Sequence, residues 1–317
     1  MRKAGGITVR RYEPDSKHRW NEFVDNAKNG HFMFMRDYMD YHGDRFADHS
    51  LMFEQKGKLI ALLPANEKES ELISHEGLTF GGILSSQRTG VTLMSEVVAE
   101  LRAYTSSKGF SRIVYKAIPY IYAALPSEED LYALFSQGGR LFRRDISTAI
   151  RLSSRIAYSK GRKENIKKAQ RAGIGCTEAA DLSEFWLLLN EVLVERHGVK
   201  AIHSREEMEL LHKRFPKNIR LCEARDADGT LLAGALLYIN RGVVHAQYLA
   251  NSTAGREVGA LDAAIEFAIG LVPDARYFDF GISTTDAGMS INRGLQAQKE
   301  GFGGRGVVHD FYELQLA

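Results

Sequence analysis

An acid held between aromatic residues, followed by a lysine that precedes a glycine-rich turn, is the pattern in this chain that carries the most chemistry. Tyr277, Phe278 and Phe280 bracket Asp279 in a run of β propensity. A carboxylate among rings needs a partner or a chemical role. Lys299 and Glu300 then precede Gly301, Phe302, Gly303 and Gly304, where missing side chains let a ligand approach the backbone. These residue types suit transfer of an acyl group to an amine, which needs a neutral amine, a stabilised oxyanion and a protonated leaving group. Asp279 would take the amine's proton or hold its ammonium form; the alternative is a structural acid paired with an arginine such as Arg305. His245 is a further candidate base, because imidazole changes charge near neutrality, against the alternative of a satisfied structural histidine. Lys299, Asp279 and His245 are thus the candidate catalytic residues. Strand alternation puts His245 and Gln247 on one face and Tyr248 on the other, and Gln247 and Tyr248 are candidate substrate contacts.

A second concentration of functional types lies in the first half. Arg36, Tyr38, Tyr41, His42 and Arg45 crowd a short stretch; read as a helix, Tyr38, Tyr41, His42 and Arg45 recur at three- and four-residue spacing. Arg36, Tyr41, His42 and Arg45 would grip a sugar or phosphate acceptor through arginine hydrogen bonds and stacking, or else form a packed surface. His75 and Thr79, beside Gly81 and Gly82, would line the same cleft. His197 and His203 offer two imidazoles and no third ligand, so no metal is expected.

The elements that must position these residues repeat once along the chain. Leu51 to Glu54, Leu59 to Pro64 and Leu72 to Gly82 read as strands, then Thr92 to Ser106 as a helix and Ile113 to Ala117 as a strand. Ile219 to Ala224, Leu231 to Ile239, Val243 to Ala250, helical Leu261 to Ile269 and Tyr277 to Gly281 follow the same order. Amphipathic helices at Asp15 to Lys28 and Asp181 to Arg196 open the two halves. Each half therefore predicts a mixed sheet with one crossover, an α/β or α+β architecture, with domains expected at 1–155 and 156–317. Between them, Ser159 to Gly173 reads as a helix with Lys160, Arg162, Lys163, Lys167, Lys168 and Arg171 against one acid, Glu164. It is either a solvated connector or a phosphate-facing surface.

Composition bounds the class. A chain of 317 residues, 44% hydrophobic and 26% charged, has the make-up of a folded globular protein of two domains. A formal charge of +2 gives no whole-molecule field for nucleic acid or membrane. Two cysteines, Cys176 and Cys222, are too few for a disulfide framework. The N-terminus lacks the apolar core of a signal peptide and no window reaches bilayer length, so a cytoplasmic place is expected.

The FDFG strand at Phe278 to Gly281, the NRGL stretch at Asn292 to Leu295 and the KEGFG turn at Lys299 to Gly303 resemble the Fem-type peptidyltransferases and related tandem acyltransferases of the GNAT superfamily. FMFMRDYMDYH at Phe32 to His42 and HEGLTFGG at His75 to Gly82 look like the N-terminal half of those proteins. The resemblance implies two GNAT-like domains in tandem and places Lys299 at the transfer site as the oxyanion stabiliser. Fem-type members take amino acids from aminoacyl-tRNA to peptidoglycan precursors; other relatives use acyl-CoA. This chain lacks the long helical arm of the tRNA-dependent members, with only about twenty residues between Arg196 and Ile219. The donor loop of acetyl-CoA-dependent members is matched at all but its last position by Arg256 to Leu261, so Arg256, Gly259 and Ala260 are the expected pyrophosphate contacts at a helix N-terminus, or else the loop is a plain glycine-containing turn from strand to helix.

The resulting expectation is an N-acyltransferase with no permanent cofactor, acyl-CoA as co-substrate, and an amine of a small-molecule, sugar or lipid-linked envelope precursor as acceptor. The alternatives are an aminoacyl-tRNA-dependent peptidyltransferase and a non-catalytic nucleotide-sugar binding module on the same fold.

Overall fold

The computed structural model describes residues 6–316, without the side chains of His42 and His197. Packing divides the chain into two units. One comprises the residues up to Asp145 with 286–289 and those from Val308 on; the other comprises Ile146–Thr285 and Ser290–Val307. The chain first passes from one unit to the other at 145/146, and the last strand returns to the first unit, where it pairs.

The first unit opens with β1 (Ile7–Arg11), α1 (Lys17–Asn26) and a short α2 (Arg36–Met39). There follow β2 (Ala47–Asp48), β3 (Leu51–Gln55), β4 (Lys58–Leu63), β5 (Asn66–Lys68), β6 (Glu71–Ile73), β7 (Leu84–Ser85), α3 (Val91–Ser107), β8 (Arg112–Lys116), α4 (Glu129–Ser136) and the start of β9 (Arg140–Arg151). One sheet runs β1–β3–β4–β7, and β2, β5, β6 and β8 pair in that order beside it in sequence. Helix α3 buries Met94, Val97, Val98 and Leu101, the three- and four-residue spacing of one apolar face, against Leu51, Phe53, Leu63 and Ile113.

The helix read across Arg36 to Arg45 is shorter than expected. It ends at Met39, a 3-10 turn covers 40–42, and Arg45 lies beyond it. The strand read from Leu72 to Gly82 is likewise cut to Glu71–Ile73, and His75 just after it turns the chain with a positive φ of 51°.

The second unit continues β9 from Ile146 and adds α5 (Lys160–Arg171), β10 (Gly175–Ala179), α6 (Ser183–His197), α7 (Arg205–Arg214), β11 (Ile219–Arg225), β12 (Leu231–Asn240) and β13 (Val243–Asn251). After these come α8 (Thr253–Val258), α9 (Ala260–Gly270), β14 (Tyr277–Ile282), β15 (Thr284–Thr285), β16 (Ser290–Ile291), α10 (Arg293–Gly301) and the start of β17 (Arg305–Gln315), whose residues from Val308 on belong to the first unit. Strands β10, β11, β12, β13, β14 and β9 pair in that order, antiparallel except where β13 meets β14. Small residues let α9 lie close to the sheet: Ala260, Ala264 and Ala268 pack with Ala233, Ala235, Val244 and Phe278. The second half of β17, from Phe311, pairs with β8 in the first unit.

The two units share one local arrangement. In the first unit β6, separated from α3 by the short β7, pairs in parallel with β8 over Glu71↔Arg112, Leu72↔Ile113 and Ile73↔Val114; in the second, β13 pairs in parallel with β14 over Val243↔Tyr277, Val244↔Phe278 and His245↔Asp279. Beyond the third pair the two strands part. The last pair before each fork is apolar in the first unit and ionisable in the second.

Candidate active site

Asp279 has no exposed surface, so its carboxylate must be satisfied inside the protein. It is. Oδ2 accepts from His245 Nδ1 at 2.8 Å, and Oδ1 accepts from Gly281 N–H at 3.1 Å and from the Ser147 hydroxyl. Arg305, the structural partner considered from sequence, donates to the Gly304 carbonyl instead. Because the carboxylate accepts at Nδ1, the neutral imidazole of His245 carries its proton there and its lone pair on Nε2. This is the arrangement that orients a histidine general base.

Both strands of the fork carry a bulge. On β13 the partners run Tyr238↔His245, Leu237↔Ala246 and then Leu236↔Tyr248, which leaves Gln247 as the extra residue. Tyr248 therefore shares the face of His245, contrary to simple alternation, and Gln247 is the residue put out of register. On β14 the partners run Asp279↔Ala149 and Ile282↔Ser147 around Gly281, whose φ is +74°. A Cβ on Gly281 would stand 3.3 Å from His245 Cε1, so glycine here makes both the bulge and the room for the ring.

Lys299 reaches the fork from α10. Its Nζ donates to the carbonyls of Gly281 at 2.8 Å and Ile282 at 2.7 Å. Gln296 of the same helix meets Thr148, which alternates with Ser147, so α10 covers the sheet face opposite to His245 and Asp279. The ammonium thus closes the back of the bulge whose front holds the imidazole. Burial lowers the Lys299 pKa to about 8, partly offset by the nearby Asp279 charge.

Tyr248, the other contact expected on β13, hydrogen-bonds His203 Nδ1 at 2.6 Å and packs edge-on to Trp186 at 5.3 Å. Burial raises its phenol to about 12. Gln247 is half-buried and its Oε1 has no hydrogen-bond partner.

The expected donor loop is closed. A Cβ on Gly259 would lie 2.4 Å from the Asn165 carbonyl of α5, and Ala260 has no exposed surface. Arg162 and Asn165 of α5 bind Asp262 in the first turn of α9, at 2.6 and 3.2 Å. Arg256 is spent on Asn251 O and Thr253 Oγ1, at 2.9 and 2.6 Å. Gly259 thus packs against α5, and Arg256 is bound within its own loop.

The remaining candidates lie in the first unit. Arg36 is buried and held by Asp40 at 2.5 Å, Asp48 at 3.1 Å and Ser50 at 3.2 Å, with its guanidinium 3.9 Å from the Tyr12 ring centroid. That is a structural role, on the wall of an open cleft of about 420 Å³ shared with Tyr12 and Lys17. Arg45 stacks over Tyr41 at 5.5 Å; the side chain of His42 lies outside the described residues. His75 is buried beside Phe46 whereas Thr79 is exposed, so the two do not share a wall. Among the described residues no group of three or more His, Cys, Asp or Glu is arranged to hold a metal. Among them also, no helix is long and apolar enough to cross a membrane.

Ser147 is the site residue that sequence reading missed. Nothing in the ISTAI run around it distinguishes its hydroxyl from that of any strand serine.

Residues 159–287 match the acetyltransferase (GNAT) domain family. No curated protein matches the chain. Three solved structures share its fold. FemX aligns over 98% of this chain and 97% of its own, at 10% identity and a TM-score of 0.69. L-PGS from Bacillus licheniformis aligns over 99% and 94%, at 13% identity and 0.63. A tandem GNAT protein from the clavulanic acid biosynthesis pathway aligns over 98% and 99%, at 11% identity and 0.50. At such identities the likeness is one of fold. The chain has a mixed α/β, tandem GNAT fold.

Proposed function

We propose that this chain is an N-acyltransferase whose reaction centre is the fork of the second unit. The observation that carries the proposal is the His245–Asp279 pair, at 2.8 Å, set where the first unit has Ile73 and Val114. Two copies of one supersecondary plan differ there in the residues that can move a proton.

The acceptor is a primary amine, entering neutral. Its nitrogen attacks the acyl carbonyl in the fork, His245 Nε2 takes the amine proton, and Asp279 holds the imidazolium. Two of the Lys299 protons are bound to the Gly281 and Ile282 carbonyls. The positive charge of Lys299, held behind the bulge, stabilises the oxyanion electrostatically. Collapse of the intermediate breaks the bond to the carrier, and His245 returns its proton to the leaving group. An envelope precursor, small-molecule, sugar or lipid-linked, supplies the amine, and the reaction takes place in the cytoplasm.

The carrier of the acyl group admits a second reading. The closed Gly259 turn weighs against a coenzyme A pyrophosphate at that loop, and α5 exposes Lys160, Lys163, Lys167, Lys168 and Arg171 on its solvent side. Only Glu164 opposes them, at 3.7 Å from Lys167 and 3.8 Å from Arg171. A polyphosphate donor such as aminoacyl-tRNA fits that surface. Offering the protein acyl-CoAs and aminoacyl-tRNAs separately, with an amine acceptor panel, decides the matter. Turnover with either supports acyl transfer. Binding of tRNA that weakens with salt and with charge-neutral α5 supports the second carrier. Stabilisation by nucleotide sugars alone, with no transfer from any donor, refutes the enzyme reading.

A further inference from the structure

Asp279 accepts hydrogen bonds from His245, Gly281 and Ser147, in separate places of the chain, and Ser147 has no role in the reaction as proposed. Ser147 lies on β9, 132 residues before Asp279, and is wholly buried. Its one hydroxyl proton goes to Oδ1, the oxygen that also receives Gly281 N–H, while Oδ2 is left to His245.

We infer that Ser147 is a positioning residue that sets the tautomer and ring orientation of His245 by locking the Asp279 carboxylate. The inference rests on the reading of His245 as the base. A carboxylate on a single strand can rotate about its terminal torsion, which has a broad, roughly two-fold preference. Two donors on Oδ1 from different directions, one on the neighbouring strand and one at the bulge, remove that freedom. Oδ2 is then held in line with Nδ1. Without the serine, Oδ1 loses the donor on the neighbouring strand, the carboxylate plane can turn, and the imidazole loses the acceptor that selects the Nδ1–H form. This is the outer-layer support that an oriented base requires.

The test reads the imidazole directly. Protein labelled with ¹⁵N-histidine is examined by NMR at alkaline pH, with His245 assigned by its absence from His245→Gln. The wild type gives the nitrogen shifts of a single Nδ1–H tautomer. Ser147→Ala gives shifts moved toward the average of both tautomers, as Asp279→Asn also does, and kcat falls roughly tenfold with KM unchanged. Ser147→Cys, whose thiol is a weaker donor, falls between and serves if the alanine variant does not fold. Unchanged His245 shifts in a folded Ser147 variant overturn the inference. Because the spectrum needs no substrate, it stands or falls apart from whether acyl transfer is found.

Discussion

At the scale of residues, the second unit keeps the carboxylate of Asp279 inside by giving it donors from His245, Gly281 and Ser147. Asp279 and His245 were legible because an acid between Phe278 and Phe280, and a histidine in an apolar strand, are conspicuous types in conspicuous places. Their partnership was not, since β14 follows β13 only after a helix, and Ser147 comes from yet another strand. Lys299 was legible as a residue but not as a geometry, because its amine is bound to the backbone of the Gly281 bulge from the far face of the sheet. Its environment gives a clear expectation. Lys299→Ala should lower kcat by about 10² to 10³ while leaving acceptor binding nearly unchanged, since a charge that stabilises the oxyanion acts in the transition state. With its pKa lowered to about 8 by burial, the ammonium loses its proton as pH rises through that value, so wild-type activity should fall there. Lys299→Arg keeps its charge and should retain part of the activity without that alkaline fall. Equal alkaline limbs in the two proteins would assign the limb to another group.

At the scale of elements, periodicity found the strands and helices and missed the irregularities that make the site. The helix expected at Leu261 to Ile269 is Ala260–Gly270, and the strand expected at Tyr277 to Gly281 is Tyr277–Ile282. A bulge shifts a side chain to the other face with no change in composition, which is why Tyr248 was assigned to the wrong face. Gly259 fits a phosphate-loop pattern, yet a motif cannot say whether a ligand or a neighbouring helix occupies the space beside it. Gly281 offers the sharper test. Gly281→Ala must hold φ near +74° and put a Cβ against the His245 ring. It should cost about 1 to 2 kcal/mol of stability from backbone strain alone. Activity should fall by more than this implies, because the ring is displaced from its position. Chemical denaturation and kinetics on one preparation separate the two effects. Wild-type turnover in Gly281→Ala would mean the bulge is not part of the site.

At the scale of the whole molecule, the duplicated plan assigns different work to its copies. The first unit has no ionisable pair at its fork and instead buries a coupled acid and phenol, with the Tyr115 hydroxyl donating to Asp130 and Ile83 N–H donating to Tyr115 at 2.7 Å. Burial raises Asp130 to about 6. The folded state therefore holds a proton that the unfolded state has released, so stability declines as pH rises from about 4 through about 6. Asp130→Asn should lose that decline and gain up to about 3 kcal/mol on the wild type between pH 4 and pH 7, the equivalent of a shift of about two pH units. Urea unfolding at both pH values measures it; parallel curves would show that Asp130 ionises normally. Two-domain architecture and the repeat were legible from the order of elements, whereas the return of β17 to the first unit was not, since its local sequence does not reveal which sheet it joins.

The most direct measurement of the central claim is steady-state acyl transfer by His245→Gln beside the wild type, with the donor that supports turnover and matched near-UV spectra to establish an intact fold. Loss of about 10² to 10⁴ in kcat, with KM for the acceptor little changed, is the expected result for removal of a general base. Undiminished kcat in the folded variant would contradict the claim that the fork of the second unit is where the acyl group moves.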